Sequence, residues 1–249
     1  AIKAGAVVID NSSTFRMRDD VPLIVPEVNW GAIKPGQKII ANPNCSTIQL
    51  VPVLKVIHEL VGLKRVVVST YQSVSGAGKA ALDELWGQTL AIANQQAVNE
   101  EVFGHQIAFN CIPQIDTVLE DGYSKEEYKI INESRKILGL PELKITATAV
   151  RVPVFHCHAE SVNVETEREL RPDSLIKELS KYDWADVFAE VDNYPMQLGT
   201  ATMNEIRIGR IRKDNSVRYG LDMWIVADNI RKGAALNAVQ IAEQLITVI

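Results

Sequence analysis

Lys38-Ile39-Ile40-Ala41-Asn42-Pro43-Asn44-Cys45-Ser46-Thr47 passes from a short apolar run, through a turn, into a long apolar segment. Lys38 to Ala41 reads as a buried strand and Asn42-Pro43-Asn44 as the turn. From Cys45 onward, Ile48, Val51, Leu54, Val56, Ile57 and Leu60 recur at helical spacing, and Gly62 ends the segment. Pro52 lies near enough to the helix start to be tolerated with some bending. A strand that delivers its chain through a turn into a buried helix predicts a mixed α/β architecture.

The neighbours on both sides extend that pattern. Ala1 to Gly5 reads as the last turn of a helix stopped by glycine, followed by a buried strand over Ala6-Val7-Val8-Ile9-Asp10. A chain seldom starts at the end of a helix, so further sequence is expected upstream. Downstream, Leu63 to Tyr71 is a β-branched strand broken by Ser75-Gly76-Ala77-Gly78. A helix follows from Lys79 to Gln96, with Leu82, Leu85, Trp86 and Leu90 as its apolar stripe. The second half reads as an antiparallel sheet with helices on one side. Its parts are a charged amphipathic helix from Glu126 to Leu138 stopped by Gly139, and strands over Ile145 to Val154 and Glu160 to Thr166 that alternate as a pair. Next come a helix opened by Pro172 and a hairpin of Glu205 to Arg212 with Val217 to Val226. An Ala-rich amphipathic helix runs from Gly233 to Ile249.

Composition limits the function. The 249 residues are 47% hydrophobic and 23% charged, which is a globular balance and excludes disordered and fibrous classes. The formal charge of -5, with basic residues dispersed, argues against a nucleic-acid surface but allows small anionic ligands. No apolar run approaches the ~20 residues of a membrane span. Three cysteines make no disulfide framework, so a reducing, cytoplasmic setting is expected.

Four groups of residues invite chemistry. Cys45 stands at the first turn of a helix, where backbone N–H groups and the helix dipole favour a thiolate and can hold an oxyanion. The alternative is a buried structural cysteine. In Arg151-Val152-Pro153-Val154-Phe155-His156-Cys157-His158, Arg151 and His158 are an odd number of residues apart. One flat strand would point them to opposite faces, and a bend near Pro153 or Phe155 would reunite them. An Arg fork suits a carboxylate and a neutral His suits acid/base work. The two histidines also read as a metal pair or as ordinary hydrogen-bonded residues, but no second ligand cluster accompanies them. Ser12-Ser13-Thr14-Phe15-Arg16 after a buried strand reads as a phosphate-holding loop or a plain surface loop. Glu126 and Lys129 share a helix face and can form a salt pair.

In combination these segments closely resemble one family. Asp10 to Arg16, Val25-Pro26-Glu27-Val28-Asn29, Asn42 to Thr47, Gln72 with Ser75-Gly76-Ala77-Gly78, Ile112-Pro113-Gln114-Ile115-Asp116, Arg151 to His158 and Ala227 to Ala235 are similar, in order, to aspartate-semialdehyde dehydrogenase. The resemblance implies NADP-linked interconversion of 4-phospho-L-aspartate and L-aspartate 4-semialdehyde plus phosphate, on the route to lysine, threonine and methionine. It implies that Cys45 is a nucleophile forming a thioester and that His158 is its acid/base. Arg151 would clamp the substrate α-carboxylate, Glu126 its amino group, and Gln72 would orient it. Arg16, Asn44 and Lys129 match the phosphate pocket, and Ser75, Gly76 and Asn229 lie by the nicotinamide; no metal is implied. Cys157 and Ala159 flank His158, where the commonest motif has Gly and Ser, so Cys157 is a potential false nucleophile in labelling.

The implied fold is α/β. Residues 1–44 would form the rear of a Rossmann-type NADP domain, 45–226 an α+β catalytic and dimerisation domain with a mixed, largely antiparallel sheet, and 227–249 a helix returning to the cofactor side. The glycine-rich phosphate loop of that domain is not in this sequence. Roughly 80 to 90 upstream residues are therefore expected, two or three βα units, and this chain should bind NADP poorly as it stands. A homodimer or homotetramer is implied, with the sheet around Met223 and Trp224 as interface. The nearest alternative is N-acetyl-γ-glutamyl-phosphate reductase, whose nucleophile region typically reads Gly-Cys-Tyr-Pro-Thr rather than Asn44-Cys45-Ser46-Thr47. An inactive interaction fragment is the non-enzymatic alternative.

Overall fold

Two short parallel strands open the fold in the computed structural model, which describes residues 1–248. Strand β1 (Val8–Asp10) lies beside β2 (Ile39–Ala41), with Ile9 opposite Ile40. The short helix α1 (Pro26–Asn29) lies between them in sequence. Both strands are shorter at their starts than expected.

Helix α2 (Cys45–Val61) follows the Asn42-Pro43-Asn44 turn. Asn44 caps it, its side-chain oxygen accepting the amide hydrogens of Ser46 at 3.0 Å and Thr47 at 3.3 Å. Gly62, at φ +79°, ends it. The expected one-sided stripe is a correction: Ser46 to Leu54 are all buried, while Leu60 is only partly so. The helix is covered on several sides because it lies between the large sheet and neighbouring helices.

Strand β3 (Leu63–Gln72) leads into the 3₁₀ turn Val74–Ala77 and helix α3 (Lys79–Ala93). This helix packs through Ala81 and Leu85 against Val74, Ile107 and Ala108. Trp86 and Leu90, expected in its buried stripe, are 56% and 45% exposed, because α3 rests on this satellite cluster and not on the sheet. Helix α4 (Lys125–Leu138) starts with a capping box between Ser124 and Glu127 and stops at Gly139, φ +67°. Then come β4 (Lys144–Arg151), β5 (His158–Thr166), α5 (Pro172–Leu179), β6 (Ala185–Val187), the short α6 (Gln197–Thr200), and the hairpin β7 (Ile206–Lys213) with β8 (Gly220–Ala227). A wide turn over Arg231–Ala235 introduces α7 (Leu236–Val248), which returns to the small sheet, where Ile241 packs with Ile24 and Ile40.

The large sheet has the order β4-β3-β5-β8-β7-β6. Its β3–β4 and β6–β7 pairs are parallel and the other three antiparallel, so it is mixed and largely antiparallel. The expected pairing of β4 with β5 does not form. Strand β3 enters between them and pairs with both, because a long β-branched strand buried on its core face is satisfied only with a neighbour on each edge. Val66, Val68, Val162, Val164, Met223 and Ile225 face α2, α4 and α5 and form the main core. Met223 is thus a core residue and not the interface residue expected, since strand alternation sends it to the face opposite Trp224.

Candidate active site

The end of the large sheet solves the geometric problem posed by Arg151 and His158. They occupy different strands, and Gln72 is register partner to both, so all three side chains share the face covered by α2. No bend within one strand is needed. The loop between them carries His156 out to the surface, away from His158.

Around this row, other elements add their contributions. The first turn of α2 brings Cys45, and Ser46 accepts a hydrogen bond from Gln72 Nε2 at 3.0 Å. Helix α4 brings Glu126 and Lys129, which form the expected ion pair at 3.1 Å. Glu126 Oε1 accepts from Asn44 Nδ2 at 2.8 Å and from Gln72 Nε2 at 3.2 Å. Lys129 also pairs with Asp116 at 2.8 Å, and these two acids outweigh burial to hold its ammonium above the ordinary range. Arg16 reaches in from the loop after β1, donating to Glu133 at 3.1 Å and to the Asn11 carbonyl at 2.9 Å.

Cys45 is a correction to the thiolate expected at a helix start. Burial and the Glu126 carboxylate push its thiol up to about 12, against the Ser46 amide and the Arg151 and Arg16 guanidiniums. Half a unit charge at a helix end does not outweigh desolvation beside a carboxylate. Cys157 is fully buried and likewise pushed up to about 12 by burial and Asp228, so it is shielded from labelling. Cys111 is the exposed cysteine.

His158 is fully buried, and burial together with Arg151 drives it down to about 3, so the ring is neutral. Its Nδ1 accepts the Ser73 amide hydrogen at 3.1 Å, which places the ring proton on Nε2. Nε2 is buried with no hydrogen-bond partner among the described residues. Arg151 Nη1 donates to the Ser73 carbonyl at 2.7 Å and its guanidinium lies 5.8 Å over the Phe103 ring. A methyl group placed on Gly76 would stand 3.2 Å from both Arg151 Nη1 and His158 Nε2. Ser75 and Ser73 hydroxyls and the Cys157 amide all donate to Asn229 Oδ1, at 3.1, 3.2 and 3.0 Å.

Four residues here were not read from the sequence. Ser73 sets the His158 tautomer. Glu133 pairs with Arg16 and accepts the Asn44 amide hydrogen at 2.6 Å. Gly233 permits the wide turn to approach Cys45, since a Cβ there would stand 3.0 Å from Cys45 Cβ. Glu160, buried beside Gln49 on the same strand face as His158, has its carboxyl raised well above the usual range by burial. Two had a sequence signal, Glu160 the period of two from His158 and Glu133 the helical spacing from Lys129. Among the described residues no group of three or more His, Cys, Asp or Glu is gathered to hold a metal.

Comparison with known proteins matches the sequence and the fold to a family. Residues 54–232 match the model of the semialdehyde dehydrogenase dimerisation domain, and residues 1–35 that of the semialdehyde dehydrogenase NAD-binding domain. The chain is 52% identical over 249 residues to aspartate-semialdehyde dehydrogenase of Aquifex aeolicus, covering 98% of this chain and 73% of that one. The crystal structure of aspartate semialdehyde dehydrogenase II of Vibrio cholerae complexed with ASA superposes with a TM-score of 0.96 at 48% identity, over 98% of this chain and 74% of that one. The Candida albicans aspartate semialdehyde dehydrogenase, solved with NADP, superposes with a TM-score of 0.73 at 25% identity, over 97% of this chain and 71% of that one. A domain model spanning most of the chain and a relative identical at more than half of the aligned positions together establish that this chain belongs to the aspartate-semialdehyde dehydrogenase family.

Proposed function

We propose that this chain carries the catalytic machinery for the NADP-dependent interconversion of 4-phospho-L-aspartate with L-aspartate 4-semialdehyde and phosphate, a step toward lysine, threonine and methionine. The observation that carries the reading is the convergence of Cys45, Gln72, Arg151, His158 and Glu126 at one sheet end, around the start of α2. Residues 1–44 and 227–249 form the cofactor side, and 45–226 the catalytic and dimerisation side.

Cys45 is the nucleophile. Its thiol is neutral at rest, so attack on the acyl phosphate needs the anion to be favoured as it forms. The helix start and the Arg151 and Arg16 guanidiniums supply that stabilisation. The sulfur–carbon bond forms as the carbon–oxygen bond to phosphate breaks, and the thiol proton leaves with the departing phosphate, giving a thioester and hydrogen phosphate. His158 meets the reacting carbonyl through Nε2, whose hydrogen serves the oxygen that gains charge. To take a proton at Nε2 the ring must first give up this hydrogen, so the resting tautomer makes His158 a donor. Arg151 binds the α-carboxylate as a fork and Glu126 the substrate ammonium, while Gln72 orients the carbonyl. Arg16, Lys129 and Asn44 surround the departing phosphate. Glu126, a carboxylate, also favours a free amine over the acetylated nitrogen of the longer reductase substrate.

Ser75, Gly76 and Asn229 fit a nicotinamide ring. Asn229 Oδ1 is occupied by its three internal donors, so its amide hydrogens are aimed elsewhere, and Gly76 leaves unfilled the space beside His158 Nε2. When bound, the reduced nicotinamide supplies the hydride. The dimerisation-domain match supports assembly as a homodimer or a dimer of dimers.

The test is an acyl trap. The chain is mixed with 4-phospho-L-aspartate, quenched in acid and mapped by peptide mass spectrometry. An aspartyl adduct on Cys45, absent from Cys45→Ala, is expected. Adduct only from N-acetylglutamyl 5-phosphate, or an undiminished adduct in Cys45→Ala, refutes the assignment.

A further inference from the structure

One face of α4 carries four charged residues, Glu126, Lys129, Glu133 and Lys136, at successive spacings that keep them on a single stripe. The first two reach the catalytic pocket. The second two hold a different object, the loop from Asn11 to Val21 that carries Arg16. Lys136 Nζ donates to three backbone carbonyls of that loop, Arg16 at 2.8 Å, Arg18 at 2.7 Å and Val21 at 2.9 Å. Glu133 is 2% exposed and uses both oxygens. Oε1 accepts from Arg16 Nη1 at 3.1 Å and Oε2 accepts the backbone hydrogen of Asn44 at 2.6 Å. Asn44 is the residue that caps the Cys45 helix. Arg16 Nε is buried with no partner among the described residues, so the guanidinium is held in place with a donor still unspent.

We propose that Glu133, assisted by Lys136, is the positioning residue of the anion subsite, tying the phosphate-binding Arg16 to the cap of the nucleophile helix. This rests on the phosphate role given to Arg16 above. The geometry demands a carboxylate. Both partners of Glu133 are N–H donors, so the isosteric amide of glutamine must turn its own NH₂ toward one of them and lose that bond. Arg16 then regains the rotamer freedom of a long side chain and binds an anion with less preorganisation. Neither Glu133 nor Lys136 touches the substrate in this reading. They act through Arg16 and Asn44.

Inorganic phosphate is titrated calorimetrically into the full chain and into Arg16→Gln, Glu133→Gln, Lys136→Met and the Arg16→Gln/Glu133→Gln double variant. Glu133→Gln is expected to weaken phosphate binding about tenfold, the scale of one charge-assisted hydrogen bond, and Lys136→Met several-fold. The double variant should lose less than the sum of the two single losses, because the part of Glu133's effect that passes through Arg16 is already gone in Arg16→Gln. L-2-aminobutyrate, an amino acid with no anionic side chain, should bind all the proteins alike. Near-UV circular dichroism checks folding, and if Glu133→Gln does not fold, Lys136→Met decides. Wild-type phosphate affinity in the Glu133 and Lys136 variants, with affinity lost in Arg16→Gln, overturns the positioning role alone. Equal loss of both probes makes the effect a general collapse and also overturns it. Undiminished binding by Arg16→Gln overturns the phosphate reading and this inference with it.

Discussion

Cys45 and His158 are both neutral in the resting chain, chiefly because packing withdraws the water that would stabilise a thiolate or an imidazolium, with Glu126 adding to the effect at Cys45 and Arg151 at His158. Two consequences can be measured. The His158 ring, held near 3 by burial and Arg151, should show the ¹⁵N shifts of the neutral Nε2–H tautomer at pH 5; an imidazolium or Nδ1–H signal there would refute the assignment. Because its folded value lies below the ordinary 6.5, the unfolded chain binds the extra proton first. Stability is therefore full above pH 6.5 and falls as the pH drops toward 3, and His158→Gln should flatten part of that acid limb in urea melts. The thiols carry the opposite sign. Cys45 and Cys157, raised to about 12 by burial and nearby carboxylates, favour the fold below 9 and lose that contribution as the pH rises toward 12. Iodoacetamide at neutral pH should label the exposed Cys111 first, Cys45 slowly and Cys157 not at all while the chain stays folded. Fast labelling of Cys157 would show that its burial is wrong.

At the scale of elements, the helices are specified by their ends as much as by their faces. The capping box of α4 satisfies two amide donors, so Ser124→Ala should lower the unfolding free energy by about 1 kcal/mol. A larger effect is expected at the wide turn before α7, where Gly233 lies against Cys45. An alanine there brings a Cβ to 3.0 Å from Cys45 Cβ, and either the turn or the first turn of α2 must shift. Gly233→Ala should destabilise by about 1–3 kcal/mol and slow acylation of Cys45, read by denaturant melts and by the acyl trap. Wild-type values in both would show that the contact relaxes freely. Next to this glycine, Lys232 is almost wholly buried and donates to Glu27 at 2.5 Å and Gln240 at 2.8 Å. Its ammonium is lowered by burial and supported by Glu27, and it joins α1 to α7 behind the nucleophile.

The outer face of the large sheet leaves apolar side chains uncovered by its own chain. The Tyr71 and Trp224 rings meet at a tilt, 5.2 Å between centroids, on the outer face of the large sheet, and in the segment before β7 Val191 and Leu198 are 86% and 91% exposed. Their neighbours Tyr194, Pro195 and Met196 line a cavity of about 440 Å³ over Trp224 and Arg210. A face of this kind, in a chain matching a dimerisation domain, predicts a dimer in solution. Sedimentation should give a dimer for the wild type, and Leu198→Asp should shift it toward monomer. A monomeric wild type would remove the assembly reading without touching the catalytic one.

Local chemistry was legible in the sequence because it is local. Asn44 before Cys45, Gly62, Gly139 and Pro172 mark helix ends through φ limits and cap hydrogen bonds that involve only near neighbours. The β-branched runs identified most strands, and the motifs together carried Cys45, Arg151, His158 and Glu126. Strand partners were not legible. That β3 lies between β4 and β5, making Gln72 the register partner of both Arg151 and His158, depends on which edges remain unsatisfied once the whole core collapses. The same holds for exposure on α3, where Trp86 and Leu90 have the right period but no sheet beneath them. Protonation belongs to the tertiary structure too. A helix start favours a thiolate in sequence terms, and only the packed surroundings decide that desolvation and Glu126 outweigh it at Cys45.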